Sequence, residues 1–473
     1  MCAAYYIVKI SLFYLIQAGS LGFAVVWARI GGCRLYNNQK AKGEKMMDFA
    51  NTELQLAYEL GTLDELAAFR QEFVIEDQNL IYLDGNSLGR LPKRTVSRLE
   101  DAIQRQWGER LIRAWNDGWI HAPDELGGKI AALIGAQPDE VLVADATSIN
   151  LFKLAIATLA SRPERTTIVS DEFNFPSDLY IFQGIIDLLG NRHKLRLIPS
   201  RDGVTIDTRD VEANLGDDTA LLSLSHVAFK SAYLYDMARV TELAHTAGAL
   251  VLWDLSHSVG ALPIDLNGCD VDLAVGCTYK YLNGGPGAPA FLYVRRDLQE
   301  KLVPPMWGWF AAKAPFDFEL QFTPAANISR FRVGTVPMLS MQALEPALDL
   351  ILQAGVGRLR LKSVQQTDYL IYLAEQWLLP LGFTLGSPRS AEERGSHVSL
   401  RHPEGYRICR ALIESPPPAV QVIPDFRTPD NIRLGIAPIY TSYADIHRAL
   451  ERMRVIVEER IYEQYTAEKL AVT

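Results

Sequence analysis

No basic stripe, no CxxC spacing, no internal repeat and no low-complexity tract occurs in the 473 residues. The formal charge is −9 and nothing in the body of the chain gathers positive charge, so no nucleic acid is expected as a partner. The five cysteines, Cys2, Cys33, Cys269, Cys277 and Cys409, are scattered and odd in number. Neither a disulfide framework nor a zinc site follows, no metal is expected, and a reducing cytoplasm fits best. What is present is ordinary for a globular protein: 48% hydrophobic and 22% charged residues, in a chain long enough for two or three domains.

Residues 1–45 do not match the remainder. Residues 10–28 are uncharged, long enough to consider as a membrane span, and Arg29, Arg34, Lys40, Lys42 and Lys45 follow them. A cleaved signal peptide fits less well, because the positive charge follows the apolar run instead of preceding it. Met46 and Met47 stand directly before soluble-looking sequence, so translated upstream sequence is the favoured reading and a membrane anchor the second.

From Met47 the chain reads as helix, with Thr62 and Glu65 spaced as a capping box ahead of Leu66, Phe69 and Phe73. A short apolar run at 80–83 meets the turn 84–89, Asp-Gly-Asn-Ser-Leu-Gly, which suits either a pocket-lining loop or a plain surface turn. Val96, Leu99, Ile103 and Trp107 recur at helical spacing, and a further helix includes Ile130 and Leu133. Short β-rich runs at 141–143, 167–169, 195–198, 221–224, 250–253, 273–275 and 291–294 then alternate with helical segments such as 149–160 and 237–246. Alternation of this kind predicts an α/β fold with a mainly parallel central sheet covered on both faces. After about 340 come helices at 341–354 and 359–379, strands at 397–400 and 432–436, and a last helix from 443 to about 465, an α+β pattern. The expected division is a helical segment at 46–80, a large domain at 81–339 and a smaller C-terminal domain at 340–473.

Ligands in such sheets bind beyond the strand carboxyl ends. Asp254 ends one apolar run and Lys280 lies just past the next, and these are the two side chains a pyridoxal phosphate enzyme needs. The lysine amine forms a Schiff base, and a carboxylate keeps the pyridine nitrogen protonated. Taken alone, Asp254 could equally end a turn and Lys280 be a solvated surface lysine. Thr147 and Ser148 stand where a helix N-terminus could bind a phosphate, though both residue types also cap helices with no ligand. Phe175, Pro176, Ser177 and Asp178 follow the next strand; the aromatic could cover a pyridine ring or simply pack on the core. Ser225-His226 and Ser256-His257 fall at neighbouring strand ends. The glycines at 284, 285 and 287 let the backbone turn tightly after the lysine, and Tyr279 could reach a phosphate or donate a proton. Arg433, with no acidic residue close after Asn431, suits an α-carboxylate or an ordinary surface position.

With YLDGNSLG at 82–89, NFPSD at 174–178, WDLSHSVG at 253–260, TYKYLNGGPG at 278–287, GWF at 308–310 and IRLGIAPIY at 432–440 in order, the chain resembles the kynureninases, pyridoxal phosphate enzymes of the aspartate aminotransferase fold class (fold type I). The resemblance runs from about 80 to 443 and leaves 1–45 uncovered. It implies hydrolysis of L-kynurenine to anthranilate and L-alanine, a step of tryptophan catabolism. Lys280 would carry the cofactor, Asp254 would pair with its ring nitrogen and Phe175 would stack on the ring. Thr147, Ser148 and Tyr279 would hold the phosphate, and Asp178, Ser225 and His257 would complete the shell. Trp309 and Thr335 would reach the cofactor of a neighbouring copy in a homodimer, Arg433 would hold the substrate carboxylate, and Ser87 would line the substrate pocket. Animal members that prefer the 3-hydroxylated substrate have Asn where this chain has Thr335, and a His between the positions of Trp107 and Trp119 where this chain has none; the pattern here is the bacterial one, favouring unsubstituted kynurenine.

In the mechanism so implied, Lys280 takes the α-proton, water adds to the γ-carbonyl with Tyr279 as proton carrier, and the Cβ–Cγ bond breaks. The rivals are a cysteine desulfurase or small-substrate aminotransferase of the same fold, and a non-catalytic membrane-tethered protein. A desulfurase usually has His before the lysine and a Cys on a mobile loop; here Tyr279 precedes it, and Cys409 alone follows 340.

Overall fold

The computed structural model describes residues 47–468, so the apolar and basic stretch at 1–45 lies outside the described residues. The strands, in chain order, are β1 (Leu80–Tyr82), β2 (Val141–Val143), β3 (Thr167–Asp171), β4 (Lys194–Ile198), β5 (Thr219–Ser225), β6 (Leu250–Asp254), β7 (Leu273–Gly276), β8 (Phe291–Val294), β9 (Thr384–Leu385), β10 (His397–Arg401), β11 (Gln421–Ile423), β12 (Asp425–Arg427) and β13 (Asn431–Gly435). The helices are α1 (Met47–Thr62), α2 (Lys93–Asp101), α3 (Ala122–Ile134), α4 (Thr147–Ser161), α5 (Pro176–Leu188), α6 (Thr208–Asn214), α7 (Met237–Thr246), α8 (Met338–Ala354), α9 (Val356–Trp377), α10 (Gly405–Ile413) and α11 (Tyr443–Glu458).

Every residue of β2, β3, β5, β6, β7 and β8 is buried, as a sheet covered on both faces requires. The seven-stranded sheet has the order β2-β8-β7-β6-β5-β3-β4, and only β8 runs against its neighbours. Alternate residues feed two cores. Leu222, Leu224, Val251 and Trp253 pack with α3, α7 and α8, while Leu221, Leu250, Leu252 and Val275 pack with α4 and α5. The α/β architecture is therefore the one that the alternating pattern predicts.

A third core gathers α1, α9, α10 and α11 over a four-stranded antiparallel sheet of order β12-β13-β10-β9. Strand β1 pairs in parallel with β11, not with the large sheet, and its Ile81 lies in this third core. Among the described residues no helix is long and apolar enough to cross a membrane.

Local details depart from expectation for identifiable reasons. The capping box at Thr62 does not form: α1 ends there, Thr62 Oγ1 donates to the Glu59 carbonyl at 2.7 Å, and the nearer Asp64 accepts from Leu66 N at 2.9 Å. After α2 the chain continues as a π-helix, Ala102–Arg110. Thr95 and Ala102 take the buried side, leaving Val96, Ile103 and Trp107 exposed. The last helix stops at Glu458 because Arg460 adopts a left-handed φ of 56°. The strands β9, β11 and β12 were not expected, being two or three residues long with no alternation to mark them.

Candidate active site

The carboxyl ends of β6 and β7 bring the two central residues together. Asp254 closes β6 and its Oδ1 accepts from Ser256 N at 2.8 Å, which fixes the carboxylate in a tight turn. Lys280 lies four residues past the end of β7, with Nζ 3.1 Å from His257 Nε2. The Phe175 ring centre is 5.8 Å from that nitrogen, as is the ring of Tyr279. Burial pushes the Asp254 carboxyl up from its ordinary range while the Lys280 charge opposes it. Asp178 is pushed up further, by burial and then by the charge of Asp254.

Two more strand ends supply polar groups. Helix α4 begins at Thr147, and Ala146 at its N-cap offers no side-chain oxygen, so the first N–H groups are left for a ligand or solvent. Ser148 and Ser177 share a hydrogen bond of 3.0 Å, which ties the start of α4 to the start of α5. Pro176 occupies the first turn of α5 and sets the rigid entry that carries Phe175 and Asp178. Ser225 Oγ donates to Asn174 Oδ1 at 2.6 Å, and Asn174 Nδ2 donates to Ser170 Oγ at 3.0 Å. Asn174 thus orients Ser225, a role that its place in a Phe-rich loop does not announce.

The donor set fits pyridoxal phosphate. Asp178 Oδ2 and His257 Nδ1 are buried with no hydrogen-bond partner, an aromatic face lies over the lysine nitrogen, and an uncapped helix start stands nearby. Buried polar atoms without partners are uncommon in a finished fold, and here they border one lysine.

The C-terminal sheet delivers the cation. Arg433 on β13 is 1% exposed; its Nη2 donates to Ser87 Oγ at 2.7 Å and its Nη1 to the Phe229 carbonyl at 2.7 Å. Of the two acids just before it in the chain, Asp430 and Asp425, it is Asp425 on the adjoining strand β12 that pairs with Arg433, and Asp84 Oδ1 lies 3.9 Å away. Burial and the Asp425 charge push Asp84 up to about 6. Two glycines permit this meeting. A Cβ on Gly435 would collide with Asn86, and one on Gly89 with the Lys280 carbonyl and Asn283. Gly89 N instead donates to the Tyr279 carbonyl at 2.8 Å, so the turn 84–89 is docked between the lysine segment and β13.

Trp309 and Thr335 are both exposed, and no hydrogen bond or ring contact among the described residues joins them to Lys280. Trp309 packs on Phe310 and Phe316 instead. Burial raises the Tyr279 hydroxyl pKa, with Cys277 adding to the shift. The sequence reading missed Asn174, Asp425 and His397; the last is fully buried, 5.7 Å from His257 between ring centres. A separate cavity of about 260 Å³ between α2 and α8 is lined by Arg98, Arg105, Arg110 and Trp119. It is a poor anion site, since those arginines already pair with Glu345, Asp101 and Asp117 at 2.6 Å each.

Comparison with known proteins follows the same lines. The Aminotransferase class-V model matches residues 81–405, and the Kynureninase C-terminal domain model matches residues 359–453. A kynureninase of Burkholderia mallei (strain SAVP1) is 44% identical over 84% of this chain and 93% of its own length. One from Pseudomonas fluorescens is 42% identical over 86% of this chain and 95% of its own. Among solved structures, a cysteine desulfurase from Thermococcus onnurineus NA1 superimposes with a TM-score of 0.69 at 19% identity, covering 80% of this chain and 95% of that one. A cysteine desulfurase from Escherichia coli gives 0.70 at 18% identity, covering 85% and 99%. At such identities the two desulfurases speak for the fold alone.

Proposed function

This chain belongs to the kynureninase family, with the class-V aminotransferase fold, and from that premise we propose that it binds L-kynurenine through Arg433 and Ser87 and hydrolyses it to anthranilate and L-alanine at Lys280. It is a pyridoxal phosphate enzyme, a hydrolase of carbon–carbon bonds. The observation that carries the residue assignments is the meeting of Lys280, Asp254 and His257 with a guanidinium from the C-terminal sheet: an amine for the cofactor beside a fork for an α-carboxylate.

Bound pyridoxal phosphate supplies an electron sink for the charge that develops on the substrate α-carbon. Asp254 would hold the ring-nitrogen proton and Phe175 would cover one ring face. Thr147 and Ser148, with the first N–H groups of α4, would take the phosphate, and Pro176 and Ser177 would fix the neighbouring turn. Asp178 and Ser225 would complete the polar rim. Lys280 takes the α-proton, with His257 Nε2 beside its nitrogen. Tyr279 moves the proton as water adds to the γ-carbonyl and the Cβ–Cγ bond breaks. Arg433 must trade part of its Asp425 pairing for the substrate carboxylate, with Ser87 as the second contact.

A second copy completes the site. Trp307, Trp309, Phe316 and Phe318 form an exposed aromatic surface, and Trp309 and Thr335 on it are assigned to the cofactor phosphate of the partner in a homodimer. The proposed division is 46–80, 81–339 and 340–473; α1 and β1 pack in the C-terminal core, and α8 packs in a core of the large sheet. Thr335 favours unsubstituted kynurenine over the 3-hydroxylated form, and scattered free cysteines suit the cytoplasm.

The test is anthranilate fluorescence with purified protein and kynurenine. Lys280→Ala is expected to lose the visible cofactor band and to slow turnover by about 10³-fold or more. Yellow wild-type protein that makes no anthranilate would overturn the substrate assignment.

A further inference from the structure

Beside Lys280 the buried Nδ1 of His257 has no partner, and the His397 ring has a single backbone contact, with Phe229. The two rings are 5.7 Å apart, tilted at 56°, and both residues are almost wholly buried. His397 opens β10 opposite Gly435, two residues from the Ser399–Arg433 pair, so it faces the site from the C-terminal sheet on the same side as Arg433. The nearby Phe229 carbonyl already accepts from Arg433 Nη1.

The lysine contact specifies the tautomer that this arrangement needs. An amine hydrogen directed from Lys280 Nζ at His257 Nε2 makes that nitrogen the acceptor, and in a neutral ring the proton then sits on Nδ1. A buried N–H donor without an acceptor is costly, and the ring facing it is His397. One bridging water or a small rotation closes the gap.

We propose that His397 is a positioning residue for the lysine nitrogen: by accepting from His257 Nδ1–H it keeps His257 Nε2 an acceptor, and so favours the protonated form of the Lys280–cofactor linkage. Both imidazoles are held neutral by burial and by the cations around them, Lys280 and Arg433 acting on each, so an acceptor role fits the charge state of His397. The other titratable or charged groups facing this cluster are Asp178 from α5, Asp254 from β6, Cys277 and Tyr279 beside the lysine, and Arg427 from β12. All of them are unchanged in a His397 variant. The inference rests on Lys280 as the cofactor lysine, not on which substrate is cleaved.

The experiment is a pH titration of the visible band of the holoenzyme without substrate. His397→Leu is expected to lower the midpoint by about one unit, and His397→Gln, which keeps a hydrogen-bonding group, by less than about 0.3. In a His257→Gln background the His397→Leu shift should vanish, because the effect travels through His257. An unmoved midpoint in His397→Leu, or an equal shift in both backgrounds, would overturn the proposal. Imidazole nitrogen-15 shifts of wild-type holoenzyme give a reading that needs no variant. His257 protonated at Nδ1 supports the proposal, and protonation at Nε2 sinks it. Absence of anthranilate with kynurenine would count against the substrate assignment and leave this titration intact.

Discussion

Arg433 shows how far a residue's meaning depends on what folding sets beside it. Asp430 is the acid nearest to it in the chain, yet it is Asp425 that pairs with it, and Asp84 lies 3.9 Å away. The two carboxylates hold the guanidinium in place, and burial, with the Asp425 charge adding to it, raises the Asp84 carboxyl to about 6 against an ordinary 3.8. The native state therefore binds an extra proton between those values. The stabilisation is full below about pH 4 and is lost as pH rises through 6. Asp84→Asn removes this titration, so the variant should gain roughly 1–2 kcal/mol over wild type on going from pH 5 to pH 8. Denaturant unfolding at the two pH values measures it, and an equal effect at both would contradict the assigned shift. Asp84 could not be picked out from the sequence, because it lies far from Arg433 along the chain, and Asp425 could not because its partnership depends on the register of two short strands. Lys280 and Asp254 were legible, because each sits at the end of an apolar run and the strand-end rule makes both converge.

Among the elements, six of the seven strands of the large sheet, all but the edge strand β4, were readable from the apolar runs that burial on both faces leaves. The turn at 84–89 was readable as a turn but not as a bridge between two sheets. Its docking depends on missing side chains: Gly435 admits Asn86, and Gly89 admits the lysine segment. Gly435→Ala should displace Asn86 and the adjoining Ser87, costing about 1–3 kcal/mol of stability. It should raise the KM for kynurenine more than it lowers kcat. A variant with wild-type unfolding midpoint and KM would show that the turn does not depend on this contact. The spacing of Val96, Leu99, Ile103 and Trp107 marked a helix but not which way its stripe faces, since periodicity says that one face is apolar and not what covers it.

At the scale of the whole molecule, Trp307, Trp309, Phe316 and Phe318 are exposed aromatics, and the homodimer proposed above assigns them to its interface. Paired Trp309→Ser and Phe316→Ser substitutions should raise the dimer dissociation constant by about tenfold or more and increase loss of cofactor on dilution. Sedimentation equilibrium and the visible band would check this, and unchanged self-association would remove this face from the interface. The sequence by itself determined the sheet, the strand ends that carry Asp254 and Lys280, and through its ordered motifs the family. These are local or repeating signals: runs of apolar residues, turn chemistry, and spacing within a few residues. Only the tertiary structure decided that β1 belongs with β11, that Asp425 neutralises Arg433, and that His397 faces His257. The first and last of these join segments far apart in the chain, and the Asp425–Arg433 pair depends on the register of two short strands; neither kind of meeting leaves a periodicity in a sequence from which to read it.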